Sequence, residues 1–566
     1  MPLALVGEVP ERLGPGGEVV RPLDAEAVAA LARRYRAAGV TAVGISLLHS
    51  YANPDHERRV REIFSAEHPR CVVSISSDVL REYREYERAV TTLVDAFVKP
   101  RVARYVAQLR EALEGLSPGV PFSIMKSNGG VISAAEVAAQ PITTILSGPA
   151  AGALGAATVA RAAGFDRVLT LDGGGTSTDV SVVTGGAPAL TTEGTVGRFP
   201  TKVPMIDIVT VGTGGGSIAQ RTPEGGLRVG PRSAGADPGP LCYGQGGTEP
   251  TVTDAHLVLG RLPGALLGGQ MALDAGAARA GLADLAEGLE LTVGECAAGV
   301  LEIAVWNQAN AIRQMTVKRG LDVRDYVLTA FGGSGPLQVC RLIDLLGIRE
   351  GIVPVNPGNL SAFGLLTVDV RNDDVQTFVR DDGVAAEEIA AVYADLERRA
   401  LERLRREVFD GAGRLLRQAD LRYAGQAFEV RVDAPAGTVD DAFRAAVVAR
   451  FHDAHEATYG YCYRDDPRQR VEWVNLRVSG IGPIARPDLP KVEPGDGDPG
   501  AARRGQRQVW FDGAWHATPL YARDRLRAGD TVAGPAVVEE FGSTVPLPPG
   551  FTAVVDDLGN LVIAPR

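Results

Sequence analysis

Cysteine is scarce in this sequence of 566 residues, and no two of its five cysteines form a C-x-x-C pair. This shortage argues against a structural zinc site and against a disulfide framework, and it fits a reducing compartment. The sequence also lacks a signal-peptide pattern and any apolar run long enough to span a bilayer. We therefore predict a cytoplasmic protein without membrane contact.

Positive charge is also limited, because 58 lysines and arginines face 69 acidic residues and leave a formal net charge of −11. A chain this acidic is not expected to bind nucleic acid through a broad basic surface. No lysine follows a glycine-rich loop, which excludes a Walker-type ATPase, and the H-E-x-x-H and G-x-S-x-G motifs are absent as well. His452 and His455 lie near Glu456 without an evident third ligand, so we favour solvated or capping histidines over a metal site.

Glycine, by contrast, is abundant, with 68 residues in the chain. Many glycines directly follow apolar, β-branched runs, where their lack of a side chain lets the backbone turn sharply and approach a ligand. Strand and helix patterns alternate along the chain, which predicts an α/β fold. A long helix over residues 82–113 is expected to be interrupted at Pro100.

The strongest local motif consists of two apolar strands that flank a turn of glycines and hydroxyl residues. Consecutive amides in such a turn form a concave anion-binding surface, to which the hydroxyls add donors. The carboxylates of Asp172 and Asp179 would repel a bare phosphate, so the motif predicts a divalent cation between them, Mg²⁺ held through waters. A plain hairpin is the alternative, but it needs neither three glycines nor two carboxylates. The residues between the two carboxylates are Gly173, Gly174, Gly175, Thr176, Ser177 and Thr178.

Two further strands end in glycine-rich turns. The first contains Gly214, Gly215 and Gly216 and is predicted to hold phosphate. The second turn follows Phe331 and is predicted to admit a flat adenine ring against its backbone; it contains Gly332, Gly333, Ser334 and Gly335. Either turn alone is also compatible with simple packing between a strand and a helix.

Four other residues are weaker candidates for contact with a substrate. Asn128 and Gly129 lie in a turn of the same character as the glycine-rich loops. Asp254 and His256 form a polar pair within a stretch rich in valine and leucine. Capping of a helix by Asp254 is an equally good interpretation of that pair.

The order of these motifs resembles the second half of the superfamily of sugar kinases, actin and heat-shock chaperones. Residues 172–179 resemble its second phosphate motif, and residues 331–336 resemble its adenosine motif. The sequence is more closely similar to one family within it, the A-type subunits of ATP-dependent hydantoinases and 5-oxoprolinases, which are related to the β subunits of acetone and acetophenone carboxylases. The blocks that carry this resemblance span the chain and include residues 49–54, 84–88, 127–130, 146–150, 233–240, 247–255, 422–426, 459–461, 474–477 and 534–540.

The resemblance implies a ribonuclease-H-like, two-lobed ATPase with an incomplete N-terminal lobe, since the family's first phosphate motif of the Gly-Gly-Thr-Phe-Thr-Asp type is absent. It implies four domains. These are the rest of the N-terminal lobe over residues 1–165, a second lobe with the phosphate and adenosine motifs over 166–370, an α+β domain over 371–486, and a polar linker with a small β domain over 487–566.

The resemblance further implies ATP-dependent opening of a cyclic amide or imide, such as a hydantoin or 5-oxoproline, through phosphorylation of the ring amide. ATP and Mg²⁺ would be the cofactors, with Asp172 and Asp179 as the catalytic and metal-binding residues. A B-type subunit would be the partner in a hetero-oligomer, and the chain is expected to be inactive without that partner and the absent segment. The alternatives are an ATP-using β subunit of a ketone carboxylase and a nucleotide-gated switch. The switch is disfavoured because the region from Asn372 onward resembles the family's own C-terminal domains.

Overall fold

The computed structural model describes residues 2–197, 199–407, 411–464, 466 and 468–566. Its α-helices are α1 (Ala25–Ala37), α2 (Asp55–Glu67), α3 (Ser76–Val79), α4 (Glu85–Leu116), α5 (Ala134–Ala139), α6 (Ser147–Ala162), α7 (Val252–Val258), α8 (Ala275–Glu287), α9 (Val293–Val317), α10 (Val339–Leu346), α11 (Leu360–Gly364), α12 (Ala386–Arg406) and α13 (Asp441–Tyr459).

The strands of the N-terminal half are β1 (Arg12–Leu13), β2 (Val19–Arg21), β3 (Ala42–Ile45), β4 (Val72–Ile75), β5 (Ser123–Met125), β6 (Val131–Ser133), β7 (Arg167–Gly173), β8 (Thr178–Thr184), β9 (Ala187–Pro188), β10 (Leu190–Thr191), β11 (Gly194–Val196), β12 (Phe199–Thr201), β13 (Met205–Ile206), β14 (Ile208–Val211), β15 (Ser217–Arg221), β16 (Leu227–Ser233), β17 (Ala265–Leu266) and β18 (Met271–Ala272). Those of the C-terminal half are β19 (Val327–Phe331), β20 (Gly351–Val353), β21 (Val370–Asp381), β22 (Arg414–Tyr423), β23 (Val430–Asp433), β24 (Val471–Gly482), β25 (Arg503–Phe511), β26 (Ala514–Ala522), β27 (Thr531–Ala533), β28 (Ala536–Glu540), β29 (Ser543–Leu547), β30 (Phe551–Val555) and β31 (Leu561–Pro565).

Contacts group these elements into two units, each built from several stretches of the chain. The first unit comprises Met1–Ser147, Leu190–Met205 and Val368–Ala485. The second unit comprises Gly148–Ala189, Ile206–Thr367 and Arg486–Arg566. The predicted α/β character is present in both units, since each contains mixed sheets covered by helices.

The first unit contains a six-stranded sheet with the strand order β23-β22-β24-β21-β6-β5. Helices α12 and α13 cover it and bury an aromatic core that includes Trp473, Tyr393 and Phe451. A smaller parallel pair, β3 and β4, packs with α1, α2 and α4 around Phe64. Asp24 caps α1 by accepting hydrogen bonds from the amides of Glu26 and Ala27.

Helix α4 runs through Pro100 as one element of 32 residues, so the predicted interruption is wrong. Proline removes only one backbone hydrogen bond, and tertiary contacts made by the turn before Pro100 keep the chain helical. Asp95 accepts hydrogen bonds from the Ser74 hydroxyl at 2.6 Å and the Ile142 amide at 3.1 Å. Burial of this face of α4 therefore outweighs the local cost of proline.

The histidines of α13 are buried, which corrects the interpretation that they are solvated or capping residues. His452 and His455 are 7% and 0% exposed and belong to a cluster of aromatic rings. The Nδ1 atom of His452 lies 2.7 Å from the Tyr423 hydroxyl, and Nδ1 of His455 donates to the Tyr461 carbonyl at 2.9 Å. Both side chains therefore serve the packing of the first unit.

The second unit is built on a sheet with the strand order β14-β8-β7-β19-β20-β31-β30-β27, and β9 pairs with β8. Strand β7 is antiparallel to β8 and parallel to β19, while β20 pairs with the C-terminal strand β31. One face packs against α9 and α10, and α6 covers the β-branched residues Val168 and Val183 on the other face. Residues 487–566 thus contribute to this sheet as well as to the four-stranded sheet β25-β26-β28-β29.

The part of the chain that the structure describes contains no helix with both the length and the apolar character of a bilayer span.

Candidate active site

The three glycine-rich turns lie together at one cavity of the second unit, although up to 160 residues separate them in sequence. The cavity has a volume of about 960 Å³. The predicted residues that line it are Gly174, Gly175 and Thr176 from the first turn, Gly215 and Gly216 from the second, and Gly333 and Ser334 from the third.

Hydrogen bonds to main-chain carbonyls hold the turns in place. The amide of Gly215 donates to the carbonyl of Gly174 at 3.0 Å, and the amide of Gly216 donates to that of Gly175 at 2.6 Å. The hydroxyl of Ser334 also donates to the Gly174 carbonyl, at 2.9 Å. Because backbone atoms supply most of these contacts, the geometry of the cavity wall is fixed with little dependence on side-chain rotamers.

One group of glycines is required by the close approach of these backbones. A Cβ atom at Gly173 would lie 2.3 Å from the amide nitrogen of Gly335, and one at Gly214 would lie 2.6 Å from the Gly174 carbonyl oxygen. Neither separation is possible for a real side chain, so packing alone explains these glycines. Their role is to let the backbones of neighbouring turns approach each other behind the cavity wall.

Two other glycines have no such structural reason. A Cβ atom at Gly175 or at Gly333 would meet no other atom within 4 Å, and neither residue has a positive φ. Within the described residues, the amides of Gly175, Thr176 and Gly333 have no hydrogen-bond acceptor. These positions therefore combine open space in the cavity with free donors, as an anion-binding turn requires.

The remaining hydroxyl residues of the first turn have different environments. Thr178 is buried, donates to the Thr213 carbonyl at 2.5 Å and accepts from Nε2 of Gln308 at 3.0 Å. Ser177 closes the turn by accepting the Gly174 amide through its carbonyl. Thr176 is the hydroxyl residue of this turn that lines the cavity.

Asp172 and Asp179 lie directly opposite each other on β7 and β8. The hydroxyl of Ser361 donates to Asp172 at 3.2 Å, and that of Thr210 donates to Asp179 at 2.5 Å. Burial, with the charge of Asp179 as a second cause, raises the pKa of Asp172 to about 6. Burial also raises the pKa of Asp179. Two close, partly desolvated carboxylates are a donor set that a hard divalent cation would stabilise.

This carboxylate pair is not part of the cavity lining, because side chains alternate along a strand and Asp172 points to the sheet face that carries Ser361. Gly332 packs against Asp172: a Cβ atom there would lie 2.4 Å from Oδ1 of that residue. The described residues contain no cluster of three or more histidine, cysteine or acidic side chains suited to a metal. Two carboxylates without a third protein ligand fit Mg²⁺, which keeps several waters, and do not fit a zinc site.

The candidate residues Asn128 and Gly129 lie in the first unit, where they form a turn. Asn128 donates from Nδ2 to Asp373 and accepts the Gly130 amide at 3.0 Å. Gly129 has a φ of +84°, a conformation that favours glycine. The polar atoms of Asn128 are thus engaged within the protein.

Asp254 caps helix α7, which is the structural alternative considered for it. It forms a capping box with Thr251 and accepts further hydrogen bonds from the amides of Leu241 and Cys242. The side chain is 0% exposed, so it is fully occupied by these donors. His256, on the same helix, is also buried and lies at the wall of a different cavity.

Sequence reasoning missed several residues of the cavity. Thr253 donates to the Gly215 carbonyl through both its amide and its hydroxyl, each at 2.8 Å. Arg523, Glu540 and the half-exposed Phe541 belong to the C-terminal region and complete the wall. Thr253 and Glu540 lie within blocks that resemble the family, residues 247–255 and 534–540, and this resemblance could have identified them.

Comparison with known proteins gives matches along nearly the whole chain. Residues 88–374 match the family described as Hydantoinase/oxoprolinase, residues 379–561 match the Hydantoinase/oxoprolinase C-terminal domain, and residues 1–68 match the N-terminal region. Caprolactamase subunit alpha of Pseudomonas jessenii is 35% identical over 97% of this chain and 80% of its own length. Acetone carboxylase beta subunit of Xanthobacter autotrophicus is 30% identical over 98% of this chain and 80% of its own length.

The fold is also that of a solved relative. The crystal structure of the ATP-dependent caprolactamase from Pseudomonas jessenii has a TM-score of 0.87 and 34% identity, and the match covers 98% of this chain and 82% of that chain. Sequence and fold therefore agree along the chain, and the protein belongs to the hydantoinase/oxoprolinase family.

Proposed function

We propose that this chain is the nucleotide-binding subunit of an ATP-dependent enzyme that hydrolyses a cyclic amide or imide. The observation that carries the proposal is the open space at Gly175 and Gly333, where glycine is not required by packing and free amides face a cavity. The relative named as an ATP-dependent caprolactamase supports nucleotide use and a lactam-type substrate.

Main-chain amides would bind the nucleotide, and carboxylate side chains would bind the metal ion. The amides of Gly175 and Thr176 would bind the terminal phosphates, and the turn at Gly332–Gly335, with the free amide of Gly333, would seat the adenosine. Because Asp172 and Asp179 lie outside the cavity lining, they would act on the phosphates only through a Mg²⁺ ion that they hold through water. When bound, ATP and Mg²⁺ supply phosphorylation of the ring amide oxygen, which makes a poor electrophile reactive toward water.

A partner subunit is part of the proposal. Relatives are named as subunits, alpha in caprolactamase and beta in acetone carboxylase. We expect a B-type subunit to complete the enzyme in a hetero-oligomer. The ribonuclease-H-like assignment of the lobes and the four-domain division belong to the same proposal.

Nucleotide binding is tested first, on the chain alone, with the variant Gly175→Val. The added side chain enters open space, so the fold is expected to persist while the phosphate site is filled. Isothermal titration calorimetry with a slowly hydrolysed ATP analogue and Mg²⁺ should show at least about a tenfold loss of affinity. Gly115→Val is the matched control, because a Cβ atom there also meets no neighbour within 4 Å and the site is remote in sequence. Equal affinity of the two variants would contradict the phosphate site.

The reaction is tested next with a co-expressed B-type partner. ADP release should depend on a cyclic amide such as caprolactam, 5-oxoproline or hydantoin, and should fall at least about 100-fold in Asp179→Asn. The alternative is the carboxylase activity suggested by the acetone carboxylase relative. ADP release that requires a ketone and bicarbonate would establish the alternative and overturn the hydrolase proposal.

A further inference from the structure

A second cavity of about 640 Å³ lies in the second unit and takes no part in the proposed function. It lies between α7, α9, α10 and the hairpin of β25 and β26. The polar or aromatic residues of its wall that matter here are His256, Arg261, Glu302, Gln338, Arg341 and Trp510.

Three of these side chains carry buried polar atoms that have no hydrogen-bond partner within the described residues. They are Nε of Arg261, Oε1 of Gln338 and both ring nitrogens of His256. His256 is 0% exposed and Gln338 is 3% exposed. An unsatisfied buried polar atom costs about 1–3 kcal/mol, so several at one cavity indicate that a bound molecule completes them.

Arg261 is the cation of this site. Its Nη2 donates to the Trp510 carbonyl at 3.3 Å, and its guanidinium lies 5.4 Å from the ring centre of Phe511. Burial lowers the pKa of Arg261 to about 10, which leaves it protonated at neutral pH. Within the described residues it forms no direct ion pair, although Glu302 and Asp512 of the same wall attract it at longer range. A buried cation without a directly bonded counter-ion can take an anion.

Two of the neighbouring charged side chains pair with each other. Arg341 binds Glu302 through two hydrogen bonds of 2.9 and 2.7 Å. His256 remains neutral, because burial and the nearby Arg261 lower its pKa well below the usual value. A neutral imidazole offers one donor and one acceptor, whereas Oε1 of Gln338 accepts only. The missing molecule must therefore bring both an anionic acceptor and a hydrogen-bond donor.

We propose that this cavity is a binding site for a small amino acid, whose carboxylate pairs with Arg261 and whose ammonium group donates to Gln338. A carboxylate matches the planar donors of a guanidinium, and an ammonium group supplies the hydrogen-bond donor that Oε1 of Gln338 lacks.

The position of the cavity gives the amino acid a way to affect the nucleotide. Leu337 lines both cavities, and Ser334 and Gln338 flank it on the same turn. Hydrolysis of a cyclic amide yields an amino acid, so product feedback is a natural role. That role rests on the proposed function, whereas the site itself does not.

The test is calorimetric titration of the full chain with 6-aminohexanoate and L-glutamate, with hexanoate and hexylamine as probes that lack one charged group. We expect saturable binding of an amino acid and at least about tenfold weaker binding of the single-charge probes. Arg261→Lys and Gln338→Leu should each weaken it at least about tenfold. Arg324→Lys, at an exposed arginine paired with Asp322, is the control and should bind as the unaltered chain does.

If Arg261→Lys fails to fold, Gln338→Leu still tests the proposal, since Oε1 of Gln338 accepts no hydrogen bond within the described residues. Absence of saturable binding up to about 10 mM would mean that the cavity holds water alone, and equal affinity in Gln338→Leu would mean that the amino acid binds without Gln338; either result would overturn the proposal. Equal binding of hexanoate would overturn the amino-acid class. Gly175→Val should lose affinity for the nucleotide and keep its affinity for the amino acid. A failure of the proposed nucleotide site can therefore be distinguished from a failure of the amino-acid site.

Discussion

The glycines at the nucleotide cavity fall into two kinds, according to what a side chain at each position would meet. At Gly173, Gly214 and Gly332 a Cβ atom would clash with other protein atoms, whereas at Gly175 and Gly333 it would enter space that the protein does not fill. The first kind is expected to affect folding when substituted, and the second kind to affect binding. This difference separates the residues that build the site from those that contact a ligand.

Substitution at Gly332 tests the first kind. A Cβ atom there would lie 2.4 Å from Asp172 and 2.5 Å from the Gly173 carbonyl oxygen, at a φ of +77°. Gly332→Ala is expected to lower the free energy of unfolding by at least about 3 kcal/mol, measured by chemical denaturation. Gly320→Ala, at a φ of +66° without any neighbour within 4 Å, isolates the backbone cost and should lose about 1 kcal/mol. Similar losses for both would show that Asp172 does not occupy this space.

Asp172→Asn should stabilise the metal-free protein while it removes activity. Asp172 is partly desolvated and lies opposite a second carboxylate, and these causes raise its pKa. A neutral amide avoids both penalties, so unfolding at pH 8 should cost about 1–2 kcal/mol more. Substrate-dependent ADP release should fall at least about 100-fold. The exposed Asp325→Asn should leave both quantities nearly unchanged, and a destabilised Asp172→Asn would contradict the electrostatic argument.

At the scale of elements, α4 shows how packing overrides a local signal. Strand β3 approaches this helix so closely that a Cβ atom at Gly44 would lie 3.2 Å from Cα of Leu93. Thr91, Thr92 and Ala96, in the turns that precede Pro100, are also buried. The helix therefore continues across a proline that would end an isolated helix.

Replacement of that proline should stabilise α4. Pro100→Ala restores one backbone hydrogen bond and removes a clash with the preceding turn, offset in part by the greater entropy of the unfolded chain. We expect a gain of about 2 kcal/mol in the free energy of unfolding by urea denaturation. Arg101→Ala changes the neighbouring exposed residue without gaining an amide and should change stability by less than about 0.5 kcal/mol. A loss of stability in Pro100→Ala would mean that the proline ring itself packs favourably.

At the scale of the whole molecule, the two units hold buried carboxylates in opposite ways. In the second unit Asp172 has a raised pKa. In the first unit Asp420 accepts hydrogen bonds from Arg477 at 2.8 Å and Arg431 at 2.9 Å. Burial alone would raise the pKa of Asp420, but these two arginines outweigh it and hold the pKa below its usual range.

Acid should therefore weaken the first unit through Asp420. A carboxyl with a depressed pKa in the folded state contributes stability above its unfolded pKa of about 4, and this contribution is lost as the pH falls below that value. Asp420→Asn should cost about 3–5 kcal/mol at pH 7, because Arg477 and Arg431 lose their charged partner. The cost should be smaller at pH 3, as denaturation at both values would show. Asp382→Asn, an exposed residue of the same unit, should cost little at either pH, and a cost for Asp420→Asn that does not depend on pH would contradict the assignment.

The local motifs were accessible to sequence reasoning because each is a short chemical pattern. The glycines around Gly174 and the α/β character follow from residue types at fixed spacing, and capping by Asp254 was one of two interpretations that the same reasoning left open. The family resemblance is confirmed for the same reason, since its blocks extend along the chain. Local spacing also explains the wrong prediction at Pro100, because a pattern contains no information about what packs against it.

Residue types at short spacing are enough to identify the turns, their glycines and the carboxylates that flank the first of them. Three further facts depend on the folded chain: Gly175 and Gly333 share a cavity, Phe541 from the turn between β28 and β29 lines it, and His452 and His455 are buried. The difference lies in how far apart in sequence the interacting residues are. A turn is set by the dihedral angles of a few neighbouring residues, whereas a cavity wall is set by backbones that meet after long stretches of intervening chain.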